Sequence, residues 1–142
     1  MDQVGGIAGT VTETLLLELL DDDGSSCGLL TDFCYDAADP YAVTATFHNG
    51  PQPVRWTFAR SLLLEGMYAP VGEGDVHVWP CLDADGATVV MLELCSPDGQ
   101  VLVLANMRGL SRFAARTVVA VPPGTESSHL DVDQALRHLL AR

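Results

Sequence analysis

Three short segments with the composition of tight turns divide the middle of this sequence into stretches of strand length. They are Asn49-Gly50, Asp83-Ala84-Asp85-Gly86 and Ser96-Pro97-Asp98-Gly99. Asparagine, aspartate and glycine tolerate the positive φ angles that tight hairpin turns need, and proline presets the φ of a type I turn. Because such turns join neighbouring antiparallel strands, the spacing predicts an antiparallel sheet with local connections.

Apolar residues between these turns mark the strands. Val43, Ala45 and Phe47 share one face of an alternating stretch, and residues 89–94 are almost entirely apolar, as in a strand covered on both faces. The predicted strands span residues 9–20, 29–35, 41–47, 54–58, 76–81, 89–94 and 101–104, and a helix over the leucines of the first segment is the alternative there. The acidic break at residues 21–26 predicts a solvated loop.

Two helices are predicted between and after these strands. Residues 60–65 form a short helix, and Gly66 suits a left-handed C-cap at its end. Asn106 suits the N-cap of a second helix that runs to about residue 119. The inner stripe of that helix is Leu110, Phe113, Ala114 and Thr117.

The C-terminal segment predicts a third helix. Pro122-Pro123-Gly124 ends any helix before it and forces an extended connection. Asp131 then suits an N-cap, and Gln134 three residues later gives an approximate capping box. The order of elements predicts an α+β fold, in which an antiparallel meander is followed by C-terminal helices.

The chain length indicates one domain and the composition indicates an oligomer. A chain of 142 residues can bury a core of its own, so we expect a single domain over residues 1–142. Residues 1–8 have little to anchor them and are expected to be disordered. Hydrophobic residues make up 48% of the chain, a surplus that predicts apolar surface covered by a further subunit.

The charge balance disfavours nucleic acid and membrane as partners. The formal net charge is −12, and all seven cations are arginines. A polyanion would be repelled over most of this surface. The longest apolar stretch, residues 11–20, is interrupted by polar residues and is too short to span a bilayer, and the N-terminus does not resemble a secretory signal, so we expect a cytoplasmic protein without membrane insertion.

The motifs of common catalytic and cofactor sites are missing. The sequence contains no GxSxG nucleophile turn, no GxGxxG or GxxxxGK[ST] phosphate loop, and no lysine. Its cysteines and histidines form no CxxC pair and no paired ligand spacing, so a zinc site is only weakly indicated. We therefore expect no enzyme activity, no catalytic residues, no cofactor and no metal.

A row of three arginines on the second predicted helix is not explained by the stability of that helix. Arg108, Arg112 and Arg116 stand at i, i+4 and i+8 and so lie along one side of the second helix. Like charges at this spacing repel, which predicts an acidic group opposite them. A carboxylate of the same protein or of a sister subunit is favoured over an external acidic ligand, and the row is a candidate interface in either case.

The loop after the first helix is a second candidate for partner binding. Met67, Tyr68 and Val71 carry apolar side chains on a backbone rich in glycine and proline, and Glu73 lies at the end of the loop. Such a composition suits a docking surface better than a buried segment.

Five stretches together resemble the SsgA-like family of sporulation and cell-division proteins of actinobacteria. They are residues 35–43 (YDAADPYAV), residues 58–66 around Phe58-Ala59-Arg60, residues 74–80 (GDVHVWP), residues 96–99 (SPDG) and residues 121–126 (VPPGTE). The resemblance extends in order over about residues 28–141. The N-terminal 26 residues and Met67-Tyr68-Ala69 depart from the pattern.

The resemblance implies fold, partners and role. It implies a bell-shaped α+β subunit similar to Whirly-type folds, assembled into a homotrimer. It also implies a non-enzymatic adaptor at the division septum that binds the tubulin-like protein FtsZ and other SsgA-like proteins, and that recruits FtsZ and promotes its polymerisation. A paralogue acting in spore-wall peptidoglycan maturation is an alternative, because the branches share these motifs.

A single-stranded nucleic-acid binder is the other alternative. The Whirly-like architecture and the arginine row motivate it. Only 6% of the residues are aromatic, however, and the net charge is negative, whereas such binders combine a basic groove with stacking aromatic side chains.

Overall fold

A computed structural model of the chain describes residues 9–130. Eight strands, two α-helices and a 3₁₀ helix are formed in this range. The strands are β1 (Thr10–Leu20), β2 (Ser26–Asp36), β3 (Ala42–His48), β4 (Val54–Ala59), β5 (Val71–Glu73), β6 (Val76–Leu82), β7 (Thr88–Ser96) and β8 (Gly99–Asn106). The helices are α1 (Arg60–Gly66) and α2 (Met107–Ala120), and the 3₁₀ helix covers Glu126–His129. The predicted disorder of residues 1–8 and the helix capped by Asp131 fall outside the described residues.

All eight strands form one antiparallel sheet, in the order β4-β3-β2-β1-β8-β7-β6-β5. The predicted meander is therefore present as two four-stranded meanders, which join where β1 pairs with β8. Helix α1 connects β4 to β5, the two outermost strands, and so crosses from one edge of the sheet to the other. Hairpin turns fix only neighbouring pairs, which is why the sequence did not reveal the junction between the two halves.

The turn predicted at residues 83–86 forms as expected, whereas residues 49–50 lie in a longer loop between the paired residues Phe47 and Val54. At residues 83–87, the Asp83 carboxylate accepts hydrogen bonds from the backbone of Asp85 and Ala87, each at 2.9 Å. Gly86 donates to the Asp83 carbonyl at 3.0 Å with a φ of 83°, in the left-handed region where glycine has no steric penalty. The chemistry of these residues thus determines which strands are neighbours.

The core lies between one face of the sheet and helix α2. Alternation places Val43, Ala45 and Phe47 on that face, as predicted, and all three are buried. Phe33 of β2 meets Phe113 of α2 with ring centroids 5.5 Å apart. The predicted inner stripe of α2 is buried in full, and the side chain of Asn106 accepts a hydrogen bond from Gly109 at the start of the helix. Burial of this stripe anchors α2 across β1, β7 and β8.

The predicted left-handed C-cap at Gly66 is wrong. Gly66 is the last residue of α1 and has no positive φ, and the cap position is taken by Met67 in right-handed helical conformation. Gly66 is glycine for another reason, since a Cβ there would overlap the side chain of Val78 on β6. The end of α1 therefore packs against the sheet more closely than any other residue type allows.

Candidate partner-binding surface

The arginine row lies on the solvent side of α2 and is tied to strand β1. Arg116 donates to a Glu13 carboxylate oxygen at 2.6 Å and to the Thr12 carbonyl at 3.0 Å. The Nε of Arg112 lies 3.4 Å from the other oxygen of Glu13. The predicted carboxylate of the same protein is thus confirmed for two of the three arginines. Arg108 pairs with no carboxylate within residues 9–130.

These ion pairs leave the arginines accessible. The side chains of Arg112 and Arg116 are 58% and 48% exposed, whereas that of Glu13 is 16% exposed. Ion pairs with an exposed guanidinium contribute at most about 1 kcal/mol, because water already solvates the arginine charge. A partner with acidic groups can therefore share these guanidinium groups at little cost.

The loop residues predicted to dock a partner are separated by the fold. Met67 is only 5% exposed and packs in the core, where its sulfur lies 3.8 Å from the Ser111 hydroxyl. Tyr68 beside it is 77% exposed. Val71 is half-buried at the start of the edge strand β5, and Glu73 is exposed at its end. Of the four, Tyr68 and Glu73 present accessible side chains, and a partner-binding role for the loop stays a prediction.

Two grooves flank the exposed side of α2. One, of about 510 Å³, lies between α2 and the end of α1 and is lined by Leu64, Tyr68 and Val119 among others. The second, of about 440 Å³, lies between α2 and the start of β1 and is lined by Arg112, Arg116 and Val119 among others. Val119, at 83% exposure, stands between the two grooves. Val119 was not predicted as a surface residue, although its position off the apolar stripe of α2 indicates that it is exposed.

These features define one candidate surface, here called the α2 surface. It consists of Arg108, Arg112, Ala115, Arg116 and Val119, all of which are exposed. Positive charge along the helix next to an accessible valine and tyrosine suits a partner segment that is acidic and apolar. Nothing in this arrangement is a catalytic constellation.

A second cluster of charged groups is buried and structural. Arg60 is 1% exposed, and its guanidinium donates to the carbonyls of Thr117 and Val121 at 3.0 and 2.7 Å. It also donates to Glu126 at 2.9 Å. The Thr117 carbonyl, which already accepts from the Val121 N–H at 2.9 Å, gains a second hydrogen bond from Arg60, and the Val121 carbonyl lies just beyond the last turn of α2. The cluster therefore fixes α1, the end of α2 and the 3₁₀ segment to one another.

Tyr35 completes this cluster from the sheet. Its ring lies 4.9 Å from the Arg60 guanidinium, and its hydroxyl donates to the Pro40 carbonyl at 2.9 Å. Burial raises the pKa of Tyr35. Hydrogen bonding from its own backbone N–H, and then from Arg60, lowers the pKa of the Glu126 carboxyl. Both shifts follow from packing, and the guanidinium has no exposed surface on which a substrate could bind.

A third cluster consists of residues that commonly bind metals. His77, Glu93 and Cys95 place one ligand atom each within 4.8 Å of one another, and no other such group occurs within residues 9–130. The three side chains come from β6 and β7, so their spacing in the sequence gives no sign of the cluster.

None of the helices within residues 9–130 is long and apolar enough to cross a membrane.

Comparison with known proteins decides the family. The profile described as Streptomyces sporulation and cell division protein, SsgA, matches residues 29–126. The chain belongs to the SsgA family. It is 50% identical over 133 residues to the sporulation-specific cell division protein SsgB of Streptomyces coelicolor, which covers 93% of this chain and 96% of that protein.

Solved structures of SsgA-family proteins share the fold. One, reported with work on SsgB mutations and longitudinal cell division during sporulation of Streptomyces coelicolor, has 48% identity and a TM-score of 0.80, covering 85% of this chain and 95% of that one. Another, an SsgA-like sporulation-specific cell division protein from Thermobifida fusca, has 37% identity and a TM-score of 0.83, covering 94% and 98%. The antiparallel half-barrel with its helices is thus the fold of the SsgA family, while the likeness to Whirly-type folds stays a prediction.

The stretches that suggested the SsgA family meet in the structure. Tyr35 and Pro40 come from the first stretch, Arg60 from the second, and Glu126 from the last, and all four belong to the buried Arg60 cluster. Gly66 and Val78 of the second and third stretches contact each other. The residues of these motifs therefore determine how the helices pack on the sheet.

Proposed function

We propose that this protein acts in sporulation-specific cell division as a non-enzymatic adaptor, which binds FtsZ at future septa in the cytoplasm and promotes its polymerisation. The observation that carries the proposal is the 50% identity, over 93% of this chain, to a protein named for sporulation-specific cell division. The match covers 96% of that relative. FtsZ as the partner follows from the resemblance to the SsgA-like family.

The charge distribution supports the α2 surface as the site of contact. In a chain with a net charge of −12, three of the seven arginines lie on the solvent side of α2. An acidic partner is repelled by the remainder of the protein and attracted at this helix, which favours one orientation of approach. Val119 and Tyr68 then supply apolar area that remains uncovered in the single chain.

Co-sedimentation with polymerising FtsZ tests the adaptor role. We expect the protein to pellet with the polymer and to raise its mass. The double variant Arg108→Glu/Val119→Ser removes charge and apolar area from the α2 surface and leaves the Glu13 ion pairs intact. We expect its apparent affinity to fall at least about tenfold, which corresponds to about 1.4 kcal/mol.

The matched control changes the same residue types elsewhere. Arg55→Glu/Val54→Ser alters an exposed arginine and an exposed valine of β4, far from α2 in the strand order, and should bind FtsZ as the wild type does. No effect of the wild-type protein on the polymer would refute the FtsZ proposal. An equal loss in both double variants would refute the α2 surface as the contact site and leave the adaptor role standing.

A homotrimer belongs to the same proposal. Leu16 and Leu30 face each other across β1 and β2, on the side of the sheet away from α2, and are 70% and 48% exposed. Adjacent exposed leucines on a sheet are stabilised when another subunit covers them. We expect light scattering to give three times the chain mass, and Leu16→Glu/Leu30→Glu to lower it. Leu82→Glu, which changes a leucine on β6 that is 65% exposed, should leave the trimer intact. A monomeric wild type would contradict this arrangement.

A further inference from the structure

Two histidine–carboxylate pairs lie on the outer face of the sheet, and they differ in geometry. His48 and Asp32 are hydrogen bonded at 2.9 Å, and Asp32 also accepts from Thr14 at 2.6 Å. The Nδ1 of His77 lies 3.4 Å from the nearer oxygen of Glu93, and no hydrogen bond joins the two. The first pair is satisfied by its own contacts. In the second pair the nitrogen and oxygen are close together but are not hydrogen bonded to each other.

The spacing of the second pair is that of two ligands around one ion. In a tetrahedral site with metal–nitrogen and metal–oxygen distances of about 2.0–2.1 Å, neighbouring ligand atoms are separated by about 3.4 Å. The His77–Glu93 distance of 3.4 Å equals one such edge. An ion at the centre of such a tetrahedron would bind both atoms.

A third ligand of a different kind is within reach. Cys95 follows Glu93 by two positions on β7, so both side chains leave the same face of the strand. Its sulfur lies within 4.8 Å of both other ligand atoms. Among residues 9–130, the His48–Asp32 pair has no thiol within 4.8 Å of both its ligand atoms, so it serves as a comparison within the same protein.

The backbone around the three ligands is fixed. His77 pairs directly with Glu93 on one side and with Gly72 on the other. A Cβ on Gly72 would overlap the His77 ring, so the ring lies against the backbone of β5. The Cys95 N–H donates to the Asp75 carbonyl at 2.8 Å, which holds the β5–β6 turn on β7. Ligands on paired strands need little reorganisation when an ion binds.

We propose that His77, Glu93 and Cys95 form a binding site for Zn²⁺ with one coordination position left open. Imidazole, carboxylate and thiolate together are a ligand set for zinc, while magnesium and calcium require oxygen ligands. The His77 side chain is 46% exposed, so water or a ligand from another molecule can reach the fourth position. The site crosses β6 and β7 and holds that edge of the sheet together when occupied.

Titration of the reduced full-length protein with Co²⁺ in place of zinc tests the ligand set. We expect one equivalent to give the ligand-field bands of tetrahedral cobalt and a thiolate-to-metal charge-transfer band in the near ultraviolet. Cys95→Ser should abolish the charge-transfer band. His77→Gln and Glu93→Gln should weaken Zn²⁺ binding, measured by competition with a chromophoric chelator, by at least about tenfold.

Controls separate this site from the two exposed thiols. Cys27 and Cys81 are both exposed, and the double variant Cys27→Ser/Cys81→Ser keeps Cys95. It should retain the band and the affinity, and Asp32→Asn should have no effect on either. Circular dichroism checks that each variant is folded. If Cys95→Ser does not fold, Glu93→Gln takes its place as the test of the site. Absence of stoichiometric binding, or a charge-transfer band that survives Cys95→Ser, would overturn the proposal.

Discussion

Replacing Arg60 with methionine is expected to lower the free energy of unfolding by about 3 kcal/mol, because a fully buried hub of hydrogen bonds is lost. Arg60 is 1% exposed and satisfies the carbonyls of Thr117 and Val121. Methionine fills much of the same volume but donates no hydrogen bond, so the Val121 carbonyl is left buried and unsatisfied, and the Thr117 carbonyl keeps only the hydrogen bond from the Val121 N–H. The Glu126 side chain is 18% exposed and can regain water, which keeps its share of the loss small.

This effect is measured by comparing the urea unfolding of the Arg60→Met variant with that of the Arg112→Met variant. Both variants remove one arginine that pairs with a glutamate, but Arg112 is 58% exposed and its loss should cost less than about 1 kcal/mol. Equal effects of the two variants would show that burial of Arg60 does not decide its contribution.

The pH dependence of the same measurement identifies the role of Glu126. The lowered pKa of its carboxyl means that the folded protein binds a proton less readily than the unfolded chain does. Its contribution to stability is therefore present above the ordinary pKa of glutamate and is lost as the pH falls through the lowered, folded-state pKa. Arg60→Met should accordingly destabilise the protein less in acid than at neutral pH.

Gly66→Ala is the second substitution for which we expect a large effect on the free energy of unfolding. We expect it to destabilise the protein, whereas helix propensity alone predicts stabilisation. Alanine in place of glycine in a helix stabilises by up to about 1 kcal/mol. Here the new Cβ would overlap Val78, a stiff β-branched side chain on a central part of β6. Overpacking of this kind costs about 1–3 kcal/mol, so the net change should be destabilising.

A double-mutant cycle with Val78→Ala tests that cause. Val78→Ala alone creates a cavity and should destabilise the protein, but in its presence the methyl group of Gly66→Ala has room. We expect a coupling free energy of about 1 kcal/mol or more, in the direction of rescue. Additive effects would show that the contact with Val78 is not the reason for glycine at this position.

Local chemistry accounts for the parts of the fold that were predicted correctly. Asp83 and Gly86 build their turn from hydrogen bonds within five residues, and Asn106 caps α2 by bonding Gly109. Alternation along β3 places its apolar residues on one face whichever strand is its neighbour. Such features depend on residues adjacent in sequence, and they were readable from it.

Features that depend on distant residues were not readable. The conformational freedom of glycine suggested a cap at Gly66, whereas its lack of a side chain matters for contact with Val78. Met67 and Tyr68 are neighbours in an apolar loop, yet one is in the core and the other is 77% exposed. The direction in which each side chain points was set by the packing of α1 on β6.

The sequence by itself determined the antiparallel turns, the faces of the strands, the span of α2 and membership in the SsgA family, because each is encoded by local patterns or by residue identity. Tertiary structure alone decided the partners of charged groups. It joined Arg60 to Glu126, Arg116 to Glu13, and His77 to Glu93 and Cys95. Electrostatic and ligand interactions act over a few ångströms in space, and the strand order that brings these residues together leaves no mark in their spacing along the chain.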